Sequence, residues 1–226
     1  MSIVNREYSA FASGVARKAL DNLLLSTENP KAYSETMNEI GLILGKLLSD
    51  KISEHESCLL ASTAEDADFL SKGVYDSLRE KHDTKAAVFW NNHYAIPGGS
   101  IAPIVHKFIE PGYEKSDVLV IVKSVISGSC VVRTNILELI QSLNVRKIHI
   151  VSPVMHEKSE AALRNEFPDE IADMFEFLYF AIDKDKGDDG EVRPGIGGQI
   201  YELLGLKGQP ARVSFMPQLV KNLAFL

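Results

Sequence analysis

The chain has 226 residues, 45% of them hydrophobic and 24% charged, with a formal net charge of −7. These values describe a globular protein with a sizeable core and exclude disorder, and the negative balance without clustered Lys and Arg speaks against a nucleic-acid partner. Cys58 and Cys130 lie in or beside apolar segments without metal-ligand spacing, so they read as buried free thiols in a reducing compartment. With no leader-like segment and no apolar run of membrane length, the expected setting is the cytoplasm.

Tyr8, Phe11, Val15, Leu20 and Leu23–Leu25 are spaced for a helix that Asn29-Pro30 closes. Tyr33, Met37, Ile40, Leu44, Leu47 and Leu48 then predict an amphipathic helix running to about Ser49. Cys58–Ala61 reads as the first buried strand and Thr63–Arg79 as its helix, with Glu65, Asp66 and Asp68 in the first turn, where acids complement the helix dipole. Ala86–Trp90 predicts a second strand, followed by Asn91-Asn92-His93-Tyr94 and a turn over Ile96–Ser100. Polar and aromatic residues at strand ends are where open α/β sheets bind ligands, which makes His93 a residue to locate.

Val118–Val122 is a run of apolar, mostly β-branched residues, the signature of a strand buried on both faces. Val132, Ile136, Leu139, Ile140 and Leu143 recur at helical spacing, so Ser127-Gly128-Ser129-Cys130 sits between a strand and a helix N-terminus. Unpaired N–H groups and the helix dipole suit that junction to a phosphate; the blander reading is that Ser127 or Ser129 caps the helix. Lys147–Val154 reads as a further parallel strand ending in a Pro turn, Glu157–Glu166 as a helix, and Phe175–Ile182 as an aromatic strand. An acid-rich loop, Asp183–Glu191, leads to Val192-Arg193-Pro194-Gly195-Ile196-Gly197-Gly198, whose glycines permit close approach to a planar ligand or an unusual turn. Tyr201–Leu206 predicts a short helix, and Val213–Leu226 has no clear pattern.

The expected fold class is α/β, a mainly parallel twisted sheet with helices on both faces. The expected organisation is a single domain over residues 1–226, with residues 1–50 as an N-terminal helical extension and 51–226 as the α/β core.

Three blocks, Tyr33–Leu48, Asp117–Cys130 and Phe177–Gly205, resemble the type I phosphoribosyltransferases, and within them uracil phosphoribosyltransferase. Tyr179-Phe180-Ala181-Ile182-Asp183, a variable hairpin, Pro194-Gly195-Ile196-Gly197 and then Leu203 and Gly205 are similar to the family's uracil-binding segment. The resemblance implies a phosphoribosyltransferase-like fold in which Ser127, Gly128, Ser129, Cys130 and Val131, with Lys123, hold a phosphate. It implies that Ile182, Val192, Gly195 and Gly197 read the edge of a pyrimidine.

The chain departs from that family where phosphoribosyl diphosphate (PRPP) would be handled. Val122-Lys123 stand where the family has an acid that grips the ribose hydroxyls. Ala61-Ser62-Thr63-Ala64, then Glu65 and Asp66, replace the basic residue of the diphosphate loop, and Gly198 replaces a further acid. Lys123 would bind phosphate or ribose if it turns inward and would be an ordinary solvated lysine if it turns out.

The resemblance therefore implies either a weakened glycosyltransferase of pyrimidine salvage or a nucleotide- or pyrimidine-binding protein without transfer. If active, it would join uracil to PRPP with Mg²⁺ held mainly through PRPP; no protein metal site is expected, and no catalytic residue is assigned. The expected partners are a small nucleotide or pyrimidine and further copies of the chain, with neither nucleic acid nor membrane. The other reading is a non-catalytic assembly or regulatory protein that inherited the fold and binds a partner through its N-terminal helices.

Overall fold

The strands expected at Cys58, Val88, Val118 and Ile148 all form in a computed structural model of the chain, which describes residues 5–96, 99–206 and 214–225. The order begins β1 (Arg6–Tyr8), α1 (Gly14–Leu25), α2 (Pro30–Ser49), β2 (Cys58–Thr63), α3 (Ala64–Asp66), a π-helical turn (Ala67–Ser71) and α4 (Lys72–Arg79). It continues with β3 (Thr84–Asn91), a hairpin of β4 (Tyr94–Ile96) and β5 (Gly99–Ile101), β6 (Ile104–Ile109), β7 (Val118–Val122), β8 (Val125–Ile126) and α5 (Cys130–Ile140). Then come β9 (Lys147–His156), α6 (Ser159–Arg164), α7 (Asp169–Ala172), β10 (Phe175–Asp183), a hairpin of β11 (Asp185–Lys186) and β12 (Val192–Arg193), α8 (Ile200–Leu203) and α9 (Gln218–Leu223).

The main sheet runs β1-β10-β9-β7-β2-β3-β6, with β8 added beside β9. β10, β9, β7, β2 and β3 pair in parallel, while β1 and β6 close the two edges antiparallel. The fold is therefore α/β with a mainly parallel sheet. Alternation along each strand sends residues to opposite faces. Leu60, Val118, Val120 and Val122 pack with Leu20, Met37, Ile40, Leu44 and Val74 on one side. Leu59, Leu119 and Ile121 pack with Val132, Ile136, Leu139 and Leu163 on the other. The N-terminal helices thus form one of the two layers that cover the sheet. Glycine allows α2 and the segment leading into α4 to meet backbone to backbone, since a Cβ on Gly41 would fall 2.2 Å from the Leu70 carbonyl oxygen.

Several expectations change. Tyr8 belongs to strand β1, and the first helix begins only at Gly14, after Ser13 accepts the Ala16 N–H as its cap. The strand expected over Lys147–Val154 does not end in a Pro turn. β7 breaks off at Val122 and β8 resumes at Val125, so a residue without an N–H is tolerated opposite the gap and β9 continues to His156. The helix expected over Glu157–Glu166 is confined to Ser159–Arg164, and that over Tyr201–Leu206 to Ile200–Leu203. Residues 97 and 98 of the expected turn over Ile96–Ser100 lie outside the described residues.

One buried ion pair joins distant parts of the chain. Arg6 Nε and Nη2 donate to the Asp183 carboxylate at 2.7 and 2.6 Å, and Nη2 also donates to the Gly195 carbonyl at 2.6 Å. The Gly195 N–H donates to Asp183 at 2.8 Å, so β1, the end of β10 and the Gly-rich loop share one knot. Arg6→Met leaves the Asp183 carboxylate buried and unpaired. Urea unfolding should register a loss of about 3–5 kcal/mol, the usual cost of breaking a buried pair from one side.

His149, buried on β9, has its pKa pushed down to about 4 from the ordinary imidazole value of 6.5, because burial outweighs the nearby Glu176 carboxylate. Above about 6.5 the side chain is neutral both folded and unfolded. As pH falls from 6.5 towards 4 the unfolded chain takes a proton that the folded one refuses, so stability declines through that window and levels off below it. The drop is on the order of 3 kcal/mol, and chemical denaturation across this range should show it in the wild type and a flatter profile in His149→Leu.

Candidate ligand-binding cleft

The C-terminal ends of β2, β3, β7, β8 and β9 open on one rim, and a cleft of about 1140 Å³ lies over them. Parallel strands send their following loops to the same side, which is why residues far apart in the chain converge here. The lining includes Glu65, Asn91, Asn92 and His93 from the β2 and β3 ends, Lys123–Arg133 from the central strand and α5, and His156 and Lys158 after β9. The β11–β12 hairpin and the segment Gln199–Tyr201 close the remaining side.

Ser127, Gly128, Ser129, Cys130, Val131 and Lys123 all line the cleft. Ser129 occupies the N-cap position of α5, yet its side chain accepts no helix N–H; its hydroxyl instead donates to Glu166 Oε1 at 3.1 Å. The backbone N–H groups from Ser127 to Val132 donate to no acceptor among the described residues. A Cβ on Gly128 would meet no atom within 4 Å, so the loop has room above it. The junction therefore keeps the open donors that an anion needs. Ser124, fully buried at the floor of the cleft, has a hydroxyl with no partner among the described residues.

Lys123 turns inward, but towards acids. Its ammonium lies 2.6 Å from Asp66 Oδ2 and 3.1 Å from Glu65 Oε1, with its side chain 13% exposed. Burial alone disfavours the charged amine; Asp66 and Glu65 more than offset it, and the Lys123 pKa is held above the ordinary lysine value. Thr63 donates to Asp66 at 2.9 Å, and the Tyr201 hydroxyl donates to Glu65 at 3.2 Å, so the cluster ties the β2 turn to the central strand and to α8. Asp68, the third acid of that turn, accepts the N–H groups of Gln218 and Leu219 at the start of α9.

Of the residues expected to read a pyrimidine, Val192 lines the cleft, as do Ile196 and Gly198 beside them. Ile182, Gly195 and Gly197 are not among its lining residues. Gly195 is bonded through both its N–H and its carbonyl to the Arg6–Asp183 pair, the Gly197 N–H donates to the Pro194 carbonyl at 3.0 Å, and Tyr33 donates to the Ile196 carbonyl at 2.9 Å. His93 is exposed on the rim. Asn91 spans inward, donating to Asn135 at 2.9 Å and to the Ala102 carbonyl at 3.1 Å. Among the described residues, no group of three or more His, Cys, Asp or Glu is placed to hold a metal ion, and no helix is long and apolar enough to cross a membrane.

Sequence reasoning did not single out His156, Lys158, Lys186 or Arg133, all of which line the cleft. The signal for His156 was its place just beyond the β9 apolar run, hidden by reading Pro153 as a stop.

No protein-family model matches the chain, and no curated protein matches it in sequence. Among solved structures, the AQ2163 protein from Aquifex aeolicus is similar with a TM-score of 0.68 and 14% identity, covering 87% of this chain and 96% of that one. That likeness shows a shared fold over nearly the whole of both chains. More distant are hypoxanthine phosphoribosyltransferase from Staphylococcus aureus, TM-score 0.42 at 13% identity over 66% of this chain and 74% of that one, and hypoxanthine-guanine phosphoribosyltransferase from L. donovani, TM-score 0.44 at 7% identity over 68% and 81%.

Lys123→Met removes the cation that neutralises Asp66 and Glu65 and leaves both carboxylates in a largely buried site. A stability loss of about 3–5 kcal/mol in urea at neutral pH is expected, against a few tenths for an ordinary solvated lysine.

Proposed function

We propose that the cleft is a phosphoribosyltransferase-type site that binds a pyrimidine nucleotide and has lost the transfer of a phosphoribosyl group from PRPP. One observation carries the reading: the Lys123 ammonium faces Asp66 and Glu65, one cation against two carboxylates, at the turn where the family resemblance implies diphosphate would be gripped. Charge developing on a departing diphosphate needs preorganised cations or N–H donors, and losing one such donor costs about 3 kcal/mol in comparable sites. Here a potential donor is consumed, and the carboxylates that consume it repel diphosphate by on the order of 1 kcal/mol or more for each near contact. What supports retained binding is the cradle at α5, whose open N–H groups suit a single phosphate.

A second reading, an assembly or regulatory protein, is favoured by the exposed apolar side chains Tyr94, Ile96, Ile101 and Val105 on the β4–β5 hairpin and edge strand β6. The N-terminal helices are less suited to it, because Tyr33, Met37, Ile40, Leu44 and Leu48 are spent on the core.

A radiolabelled uracil assay with excess PRPP and magnesium tests the principal reading. No uridine monophosphate should form, while calorimetry detects uridine monophosphate binding to the same preparation. Turnover on the order of 1 per second or faster, an ordinary enzymatic rate, would overturn it.

A further inference from the structure

Two basic side chains, His156 and Lys186, line the cleft beside the phosphate cradle. His156 ends β9 and is 8% exposed, lining the cleft. Since β8 pairs Val125 with Val154 and Ile126 with Met155, the next step of the register sets His156 beside Ser127. Its Nδ1 accepts the Lys158 N–H at 3.3 Å, which assigns the proton of the neutral ring to Nε2. That Nε2 has no protein partner among the described residues.

Lys186 approaches from β11, the strand that follows β10. Its Nζ donates to the Ser127 carbonyl at 2.9 Å, so the ammonium already rests on the backbone of the cradle. The acids of the rim are partly neutralised. Asp189 pairs with Arg193 at 2.6 Å, and Glu166 with Arg133 at 3.1 Å while accepting from Ser129. Glu191, on the same hairpin as Lys186, also lines the cleft. The buried, unpartnered Ser124 hydroxyl lies at the floor of the same cavity.

We propose that His156 and Lys186 clasp a phosphomonoester dianion seated on the N-terminus of α5, His156 by donating Nε2–H and Lys186 by ion pairing. The cleft then selects phosphorylated nucleosides over free ones. This rests on reading the cleft as a phosphate site and adds to it the residues that give the grip its charge. The β11–β12 hairpin becomes part of the binding site, because it carries Lys186 to the cradle.

The test is calorimetric titration of the full chain with uridine monophosphate and with uridine, in the wild type, His156→Asn, Lys186→Met and Gly128→Val. His156→Asn keeps a side-chain acceptor for the Lys158 N–H, and Lys186 is exposed, so both variants should melt close to the wild-type temperature. Each should lose roughly tenfold or more in affinity for uridine monophosphate, as expected for a charge-assisted hydrogen bond, with uridine binding unchanged. Gly128→Val, which fills the cradle, should abolish uridine monophosphate binding. If only Gly128→Val weakens it, the cradle stands and the clasp is wrong. If the two basic variants weaken uridine and its monophosphate alike, they act on the fold and the clasp is again wrong. If the wild type does not bind uridine monophosphate at all, the phosphate reading fails and the clasp fails with it.

Discussion

A lysine ammonium at the end of a buried central strand must be neutralised, and Lys123 is neutralised from the turn after β2. The pair with Asp66 is almost wholly out of water, with side-chain exposures of 13% and 1%. Desolvation penalises each charge separately, and only close mutual contact with further hydrogen bonds offsets it. Thr63 and Tyr201 supply those bonds to the two acids. The arrangement fixes the β2 turn against the central strand, and with it the shape of the cleft floor. It also decides what the cleft has left to offer a ligand: the turn on one side is occupied by its own charges, and the N-terminus of α5 on the other keeps its donors open.

The second fixed point is the Arg6–Asp183 pair. Fully buried and bonded in addition to both sides of the Gly195 peptide, it holds the Gly-rich loop from a strand at the opposite end of the sequence. The positive φ values of Gly195 and Gly197, +56° and +95°, belong to this turn, and a Cβ on Gly197 would come 2.5 Å from Thr27. These glycines serve close backbone packing, and the loop offers the cleft Val192, Ile196 and Gly198. The two ion pairs thus fix separate parts of the chain that lines one cavity, and the β11–β12 hairpin is anchored to the cradle through Lys186.

The central architecture was legible because it depends on local pattern. Val118–Val122 is buried at every position, and the helical spacing after Cys130 announces α5. That junction marked Ser127–Cys130 as either an anion seat or a plain helix cap, and Val131 and Lys123 joined them only through the family resemblance. Edge strands β1 and β6 were not visible, since β1 spans only Arg6–Tyr8 and β6 exposes Val105, His106 and Lys107, so neither shows a buried apolar run. Pro153 concealed the end of β9, and its tolerance depends on a gap in a neighbouring strand that the sequence of β9 does not record. Lys123 was ambiguous for a similar reason. Both its inward turn and its acidic partners depend on contacts across 57 and 58 residues, as the role of Arg6 does across 177.

One side of the cleft is closed by its own charges, while the other keeps N–H donors open to an anion. A crystal structure of the chain grown with uridine monophosphate tests it most directly. The phosphate should lie within hydrogen-bond distance of the backbone N–H groups between Ser127 and Val132, with the Lys123 ammonium still on Asp66. A phosphate bound to Lys123 with Asp66 and Glu65 displaced, or a ligand seated outside this cleft, would contradict the account.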